Sequence, residues 1–236
     1  MTRCFLLAAL LAGHINVLAQ DLPIESQKRI LFPHPMHQKW QVSVGVTTTA
    51  MPSDITEELR YRIPAGDVHI LKNITGGFYL DGRMSVQFIQ NLLTLGPRWA
   101  KPLNDRISLA IGNDIGYWFG FINTGGIKTK GNGWQNYPNV SFGYRFNKGI
   151  LLTLKAESMM NLSINTTAGE VPVTYEYGLF SGSAYTVALE QPFYGKKSIT
   201  LAFRAMYTNF YWQTWTLFET FDRNLFFPQV IIGVIL

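Results

Sequence analysis

Eight charged side chains occur at alternate positions of segments whose other positions are apolar, and they are the residues best placed to do chemistry. Four are cations and four are anions. In one small closed barrel they would share an interior that holds side chains but no water channel. An unpaired buried ion costs several kcal/mol, so these charges must pair. The pattern predicts an ion-pair network that plugs the lumen, formed by Asp81, Arg83, Asp114, Arg145, Lys155, Glu157, Glu190 and Arg204.

The histidines are weaker candidates. His34 and His37 are three residues apart, ahead of the first predicted strand. A metal site needs further ligands, and none can be named, so the pattern favours a solvated linker and no metal site. His69 falls in a predicted loop with Ser53 and Asp67, a set of residue types that acyl transfer uses. Because no spacing matches a catalytic motif, the sequence favours a solvated histidine and a chain that is not an enzyme.

No other motif indicates a cofactor or a nucleic acid. The glycines of 125–126 and 131–133 fall in a predicted loop and precede no helix, so a phosphate-binding loop is not expected. Cys4 is the single cysteine and precedes the mature chain, which therefore has neither disulfides nor cysteine ligands. The net charge of +5 is spread without a lysine or arginine run. We expect no cofactor and no nucleic-acid partner.

The first residues follow the order of an export signal. Arg3 supplies the positive charge, residues 5–13 form a short apolar stretch, and residues 17–19 form a cleavage site of small residues. Cleavage after Ala19 and after Gln20 are equally consistent with this pattern. The predicted division is a signal peptide over 1–20, a periplasmic N-terminal segment over 21–39 and a barrel over 40–236.

Apolar and polar residues then alternate with period two, which is typical of strands with one apolar face. In the first such segment, Trp40 and the valines that follow share a face, opposite Gln41 and Ser43. No uninterrupted apolar stretch is long enough for a transmembrane helix. The alternation recurs over 106–121, 139–146, 150–157, 184–190 and 199–208, and a final segment over 225–236 is apolar on both faces.

The segment 78–100 loses its phase near Gln90 and Asn91. A β-bulge that resets the register is the preferred interpretation, while two separate strands and a short helix remain open. The count is eight antiparallel strands, with ten as the alternative. Tight turns are predicted at 102–105, 147–149 and 194–197, and long loops at 52–77, 123–134, 161–177 and 213–224. The aromatic loop 213–224 either binds a glycan or protein or, as we favour, extends its flanking strands.

Three features favour lipid rather than a shared core as the neighbour of the apolar face. The polar face consists mainly of Gly, Ala, Ser and Thr, whereas a soluble exterior would carry more Lys and Glu. The chain ends inside an apolar strand. Aromatic residues also crowd the predicted strand ends, as interfacial girdles require. These are Trp40, Tyr117, Trp118, Trp134, Tyr137, Tyr194, Tyr207, Tyr211 and Trp212.

A family resemblance can be stated from three stretches: residues 18–20 at the end of the signal, 93–99 (LTLGPRW) and 105–109 (DRISL). With the overall strand pattern, they resemble small outer-membrane β-barrel proteins of the Bacteroidetes type, which are porin-like or OmpA/OmpX-like. The resemblance implies an outer-membrane location with short periplasmic turns and long outer loops, and many such families have no assigned activity. Leu236 departs from the aromatic last residue that insertion machinery often reads.

The predicted function is therefore that of an outer-membrane β-barrel with a plugged lumen and a structural or surface-interaction role. The expected partners are outer-membrane lipid, the barrel-insertion machinery during biogenesis, and an extracellular ligand or protein at the loops. One alternative is a narrow channel for small solutes or ions. A second is a lipid A-modifying barrel enzyme that uses His69.

Overall fold

The structure is a computed structural model that describes residues 24, 27–56, 62–124, 127–146, 149–194 and 196–236. The predicted signal peptide and its cleavage site lie outside the described residues, so both stay predictions. No helix in the described ranges is long and apolar enough to cross a membrane.

Eleven β-strands, one short α-helix and one 3-10 helix make up the described part of the chain. The strands are β1 (Trp40–Ala50), β2 (Arg62–Thr75), β3 (Phe78–Val86), β4 (Gln90–Pro102), β5 (Ile107–Thr124), β6 (Ile127–Arg145), β7 (Leu151–Ala168), β8 (Val171–Val173), β9 (Phe180–Pro192), β10 (Ser198–Thr208) and β11 (Leu225–Ile235). The helix α1 spans Ser53–Thr56, and the 3-10 helix spans Trp212–Leu217.

Ten of these strands close into an antiparallel barrel. The first and last strands pair with each other, with Val44 opposite Val234, and β6 pairs with β7 to complete the ring. The short β8 pairs only with the upper end of β7 among the described strands. Closure leaves no edge strand among the ten described strands of the ring. The predicted all-β antiparallel barrel is confirmed, but eight strands is wrong and the alternative of ten is right.

The two additional strands come from regions that sequence periodicity misread. The predicted loop 52–77 contains β2, whose inward residues Asp67 and His69 and early Pro64 resemble loop composition. The segment 78–100 is two strands rather than one bulged strand. The chain reverses there in a tight connection in which the amide of Gln87 donates to the carbonyl of Gln90 at 3.1 Å.

Three predicted long loops are also largely ordered. The loop 123–134 belongs mostly to β5 and β6, and the loop 161–177 contains the end of β7 and all of β8. Their Asn, Gly and Thr residues read as loop but pair in a regular ladder, as in Asn132 opposite Asn165. The loop 213–224 does not extend its flanking strands, because it begins within the 3-10 helix that turns into the lumen.

The two ends of the barrel differ. At one end, called here the lower rim, short turns join the strands. The tightest joins β2 to β3, where Gly76 and Gly77 have φ of 52° and 85°, values that favour glycine. At the other end, called the upper rim, lie residues 51–56 after β1 and the longer connections 169–179 and 209–224. The N-terminal segment enters the barrel from the lower rim and continues into β1.

The apolar face of each strand is on the outside. Ile111 is 57% exposed, Leu201 47% and Phe142 37%. Small and polar residues of the same strands point inward, as with Ser141 and Thr200, which are 3% and 2% exposed. The predicted sidedness of the strands is confirmed. The aromatic girdle is wrong for four members that lie inside the barrel: Trp118, Tyr137, Tyr211 and Trp212.

Candidate functional site

A charged cavity of about 70 Å³ occupies the middle of the lumen. Leu31 of the N-terminal segment bounds it from below, and Trp212 of the 3-10 helix bounds it from above. Such a volume holds several water molecules, since a single water needs about 10–15 Å³. Six of the predicted network residues line it: Asp81, Arg83, Asp114, Lys155, Glu157 and Arg204.

Two of the inward cations share the Glu157 carboxylate. Lys155 Nζ lies 3.1 Å from Glu157 Oε1, and Arg204 Nη2 lies 3.1 Å from Oε2. Lys155 also approaches Asp114 Oδ2 at 3.7 Å, across the β6 strand that separates β5 from β7. Asn139 of that strand donates to the same Asp114 oxygen at 3.0 Å. These contacts tie four strands together through one cluster.

A second group of pairs involves residues that sequence analysis did not assign to the lumen. Arg83 Nε donates to Asp67 Oδ1 at 2.6 Å. Asp81 contacts His69 Nε2 at 2.6 Å and Arg98 Nη1 at 3.4 Å. Asp67 and His69 lie on β2, which the sequence pattern assigns to a loop. The alternation changes phase near Gln90 and Asn91, between β3 and β4, so the pattern of β3 does not predict that Arg98 points inward.

Two predicted network residues have other positions. Glu190 is fully buried, and its carboxylate binds backbone amides of the N-terminal segment. Arg145 is the last residue of β6 at the lower rim, where it pairs in register with Leu151. The structure therefore gathers six of the eight residues around the cavity, and places Glu190 and Arg145 below it.

The described part of the predicted periplasmic segment lies inside the lower end of the barrel, and we call residues 27–39 the lower plug. Glu190 Oε1 accepts from the amides of Ile30 and Leu31 at 2.8 and 3.0 Å, and Oε2 accepts from Phe32 at 2.8 Å. Arg98 Nη1 donates to the carbonyl of Ile30 at 2.9 Å. Thus both the amides and a carbonyl of the plug are paired with charged side chains of the wall.

Side-chain packing also holds the lower plug. The amide of Met36 donates to the Tyr79 hydroxyl at 2.7 Å, and the Asn73 side chain donates to the Met36 carbonyl at 2.6 Å. Phe32 is 2% exposed and fits against Gly143, where a built Cβ atom would lie 2.7 Å from the ring. No side chain larger than that of glycine fits there without displacing the plug.

A second closure, the upper plug, is formed by residues 210–217 and includes the 3-10 helix. The indole of Trp215 is fully buried. It lies in a notch made by two glycines of the wall, since Cβ atoms built at Gly120 and Gly131 would lie 2.6 and 2.5 Å from its ring. Trp118, which lies on the inward face of β5, belongs to the same cluster. This inward tryptophan of the wall therefore packs against the upper plug.

Some buried polar atoms in and beside the upper plug lack a hydrogen-bond partner. Four buried polar atoms have no partner among the described residues: the Nε1 atoms of Trp118 and Trp215, and both polar atoms of the Gln213 side chain. Each such group costs about 1–3 kcal/mol when it is buried without a partner. Tyr175 supplies one tie, since its hydroxyl donates to the Trp215 carbonyl at 3.4 Å. Burial raises the pKa of Tyr175, so that hydroxyl stays protonated at neutral pH.

The lumen residues do not form a recognisable catalytic set. In the described ranges, no serine or threonine hydroxyl bonds to the His69 ring, and no group of three His, Cys, Asp or Glu side chains has metal-binding geometry. Ser53 belongs to α1 near the upper rim, whereas His69 lies on the inner face of β2. What the arrangement offers chemically is a polar, charge-balanced chamber between two plugs.

Comparison with known proteins gives distant fold matches only. No family model and no curated protein matches the chain. Among solved structures, an outer membrane channel from Pseudomonas putida F1 has a TM-score of 0.44 at 7% identity, covering 86% of this chain and 98% of that one. The CymD monoaromatic hydrocarbon channel has a TM-score of 0.39 at 10% identity, covering 73% of this chain and 60% of that one. The P. putida toluene transporter TodX has a TM-score of 0.36 at 8% identity, covering 85% and 70%.

The matched structures are all barrels, but none supports the predicted likeness to barrels of the Bacteroidetes type.

Proposed function

We propose that this protein spans a bacterial outer membrane and forms a narrow channel for small polar solutes or ions, which its two plugs hold closed. The membrane part of the proposal is supported by the exterior. Large apolar side chains cover the outer face of β1 and β11, the first and last strands, which pair to close the barrel. Among them, Val46 is 54% exposed and Ile232 is 51% exposed. A closed barrel also satisfies its backbone hydrogen bonds internally, as hydrocarbon demands.

The channel part is supported by the manner in which the lumen is closed. Both plugs are segments outside the barrel strands. Either plug can therefore leave the lumen without breaking hydrogen bonds between the strands. Between them lies the chamber with paired charges rather than an apolar filling. Buried ion pairs are weak contributors to stability, and apolar residues of similar volume do as well or better. A charged interior is therefore better explained by passage of polar solutes than by stability alone.

The single observation that carries the proposal is that the two plugs close the chamber in series. Opening one plug should leave the path blocked by the other. We expect the wild-type protein in planar bilayers to conduct rarely, and Glu190→Gln or Trp215→Ala to conduct little more. The double variant should open readily.

Large, stable openings of the wild-type protein would contradict closure by the plugs. A folded double variant that conducts no more than the wild type would contradict the channel itself. A heat-modifiability gel on each sample, in which a folded barrel migrates anomalously until boiled, separates that outcome from misfolding.

A second candidate, a sealed barrel that presents a binding surface, is favoured by one observation at the upper rim. Residues 174–178 and 218–222 enclose a cleft of about 440 Å³. Thr220 Oγ1 donates to the Glu176 carbonyl at 2.8 Å, which holds its two sides together. Glycan-array binding of the detergent-solubilised barrel tests this candidate, with Asp222→Ala as the matched variant. Binding that this variant abolishes, in a protein that never conducts, would favour the sealed barrel.

A further inference from the structure

The outside of the lower rim is strongly basic. Its cations come from two strands, two turns and the residue before β1, and the only carboxylate side chain described beside them is that of Asp105. The upper rim is nearly balanced, with five acidic and four basic side chains in its described residues: Asp54, Glu170, Glu176, Glu219 and Asp222 against Arg62, Lys128, Lys130 and Arg223. The lower-rim cations are Lys39, Lys72, Lys101, Arg106, Lys196 and Lys197.

These cations lie at the edge of the apolar band rather than beneath the barrel. Lys72 continues the outward face of β2, and its Nζ lies 5.0 Å from the centre of the Trp40 ring. Lys101 follows Trp99 on the outward face of β4, and that tryptophan is 43% exposed. Amphipathic aromatic rings favour the headgroup level of a bilayer, so the neighbouring ammonium groups lie at that depth.

No carboxylate of the described chain neutralises these cations. The ion pairs of the described residues lie inside the lumen, apart from Arg223 with Asp54 at the upper rim, and none includes a lower-rim cation. The charges inside the barrel are balanced, whereas those outside its lower end are not. Among the described residues, the lower rim therefore carries a positive charge that a negatively charged ligand would complement.

We propose that the lower rim binds the headgroups of anionic phospholipids in the leaflet that surrounds it. This inference rests on the membrane-spanning part of the proposed function. A soluble polyanion is the other ligand with suitable charge, but it would meet the underside of the barrel, not outward lysines interleaved with exposed aromatic residues. The lysine stems lie along the apolar band while their ammonium groups reach the phosphates.

Each cation at an anionic surface strengthens binding by about five-fold at moderate ionic strength. Screening weakens this attraction, because the Debye length falls to about 3 Å at 1 M salt. We therefore expect about a five-fold enrichment of anionic over zwitterionic lipid around the wild-type barrel, falling toward parity in high salt.

The test uses the full mature chain, inserted into bilayers of equimolar phosphatidylglycerol and phosphatidylcholine and then released gently for native mass spectrometry. The lower-rim variant is Lys101→Gln/Lys196→Gln/Lys197→Gln, and the matched control is Lys128→Gln/Lys130→Gln at the upper rim. The wild type and the control should retain phosphatidylglycerol preferentially, and the lower-rim variant should not. Vesicle flotation of every sample measures insertion separately.

Chains that float without preferring phosphatidylglycerol would overturn this inference and leave the membrane proposal intact. Chains that do not float would overturn the membrane proposal itself. Loss of the preference in the upper-rim control would also contradict the assignment of lipid binding to the lower rim. So would heparin binding through the lower-rim lysines without a lipid preference.

Discussion

The lower plug depends on one carboxylate, and Glu190→Gln is the smallest change that tests it. The carboxylate of Glu190 accepts from the amides of Ile30, Leu31 and Phe32 and from the Thr200 hydroxyl at 3.2 Å. Glutamine keeps one accepting oxygen but turns an NH₂ group toward at least one N–H donor. The shape of the side chain is retained, so the change removes charge and one acceptor only.

The magnitude follows from the hydrogen bonds. Bonds to charged groups contribute about 1.5–3 kcal/mol and neutral ones about 1 kcal/mol. Losing the bond from Phe32 and the charge from the remaining ones weakens the docking of the plug by about 3 kcal/mol, which is a factor of roughly 150 in its docking equilibrium. Thr200→Val removes a single hydrogen bond from the same carboxylate and should weaken the docking of the lower plug by about 1 kcal/mol.

Cysteine labelling gives the assay, since the predicted mature chain contains no cysteine. Leu31→Cys places a thiol on the wall of the enclosed chamber, where a bulky maleimide cannot reach it while the lower plug is docked. We expect labelling to be slow in that background, slightly faster with Thr200→Val, and on the order of a hundred-fold faster with Glu190→Gln. If Glu190→Gln leaves the thiol as protected as before in a folded barrel, the role assigned to this carboxylate is wrong.

Three further changes test other parts of the structure. Gly120→Val should displace the Trp215 indole from its notch, so limited proteolysis of the connection 209–224 should be faster. An unchanged rate would show that the indole is not held in this notch. Glu157→Ala leaves two partly buried cations without their shared carboxylate. We expect the free energy of unfolding in urea to fall by about 3 kcal/mol, partly restored by also changing Arg204 to Met. Leu201→Arg puts a charge on the proposed lipid face and should lower the free energy of unfolding in vesicles by about 2–4 kcal/mol. A change near zero would indicate that this face meets water.

Period-two patterning was sufficient where one face of a strand is apolar throughout. In β1 and β10 the outward residues are apolar or small and the inward ones are mostly small or polar, so local sequence determines both the strand and its sidedness. The strand β2 defeated the same reasoning. Pro64, Gly66 and the inward Asp67 and His69 look like loop when taken alone, and their partners lie on β3, which only the folded sheet brings near.

The cluster of six charges around the cavity followed the polar face of the strands, but their pairing depends on register. Lys155 meets Asp114 because β6 aligns β5 and β7, and no spacing along the chain contains that alignment. The same holds for Arg98, whose direction changes with the turn between β3 and β4.

The plugs could not be predicted, because their local sequence has no periodicity. The amide of Ile30 is 160 residues from its Glu190 partner along the chain. The notch that holds Trp215 is made by glycines on two other strands, Gly120 and Gly131. Such contacts are long-range, so they cannot be predicted from the composition of the plug segments or from residue spacing within them.

Spin labels on neighbouring residues of β5 measure most directly which medium surrounds the barrel. Ile111 is 57% exposed on the outside, and Ala110 is 3% exposed and points inward. In proteoliposomes we predict that a nitroxide at Ile111→Cys relaxes strongly with oxygen and weakly with a water-soluble nickel complex. A nitroxide at Ala110→Cys should be protected from both. Strong nickel relaxation at position 111 in a correctly folded barrel would show water against the apolar face and contradict the membrane-spanning barrel.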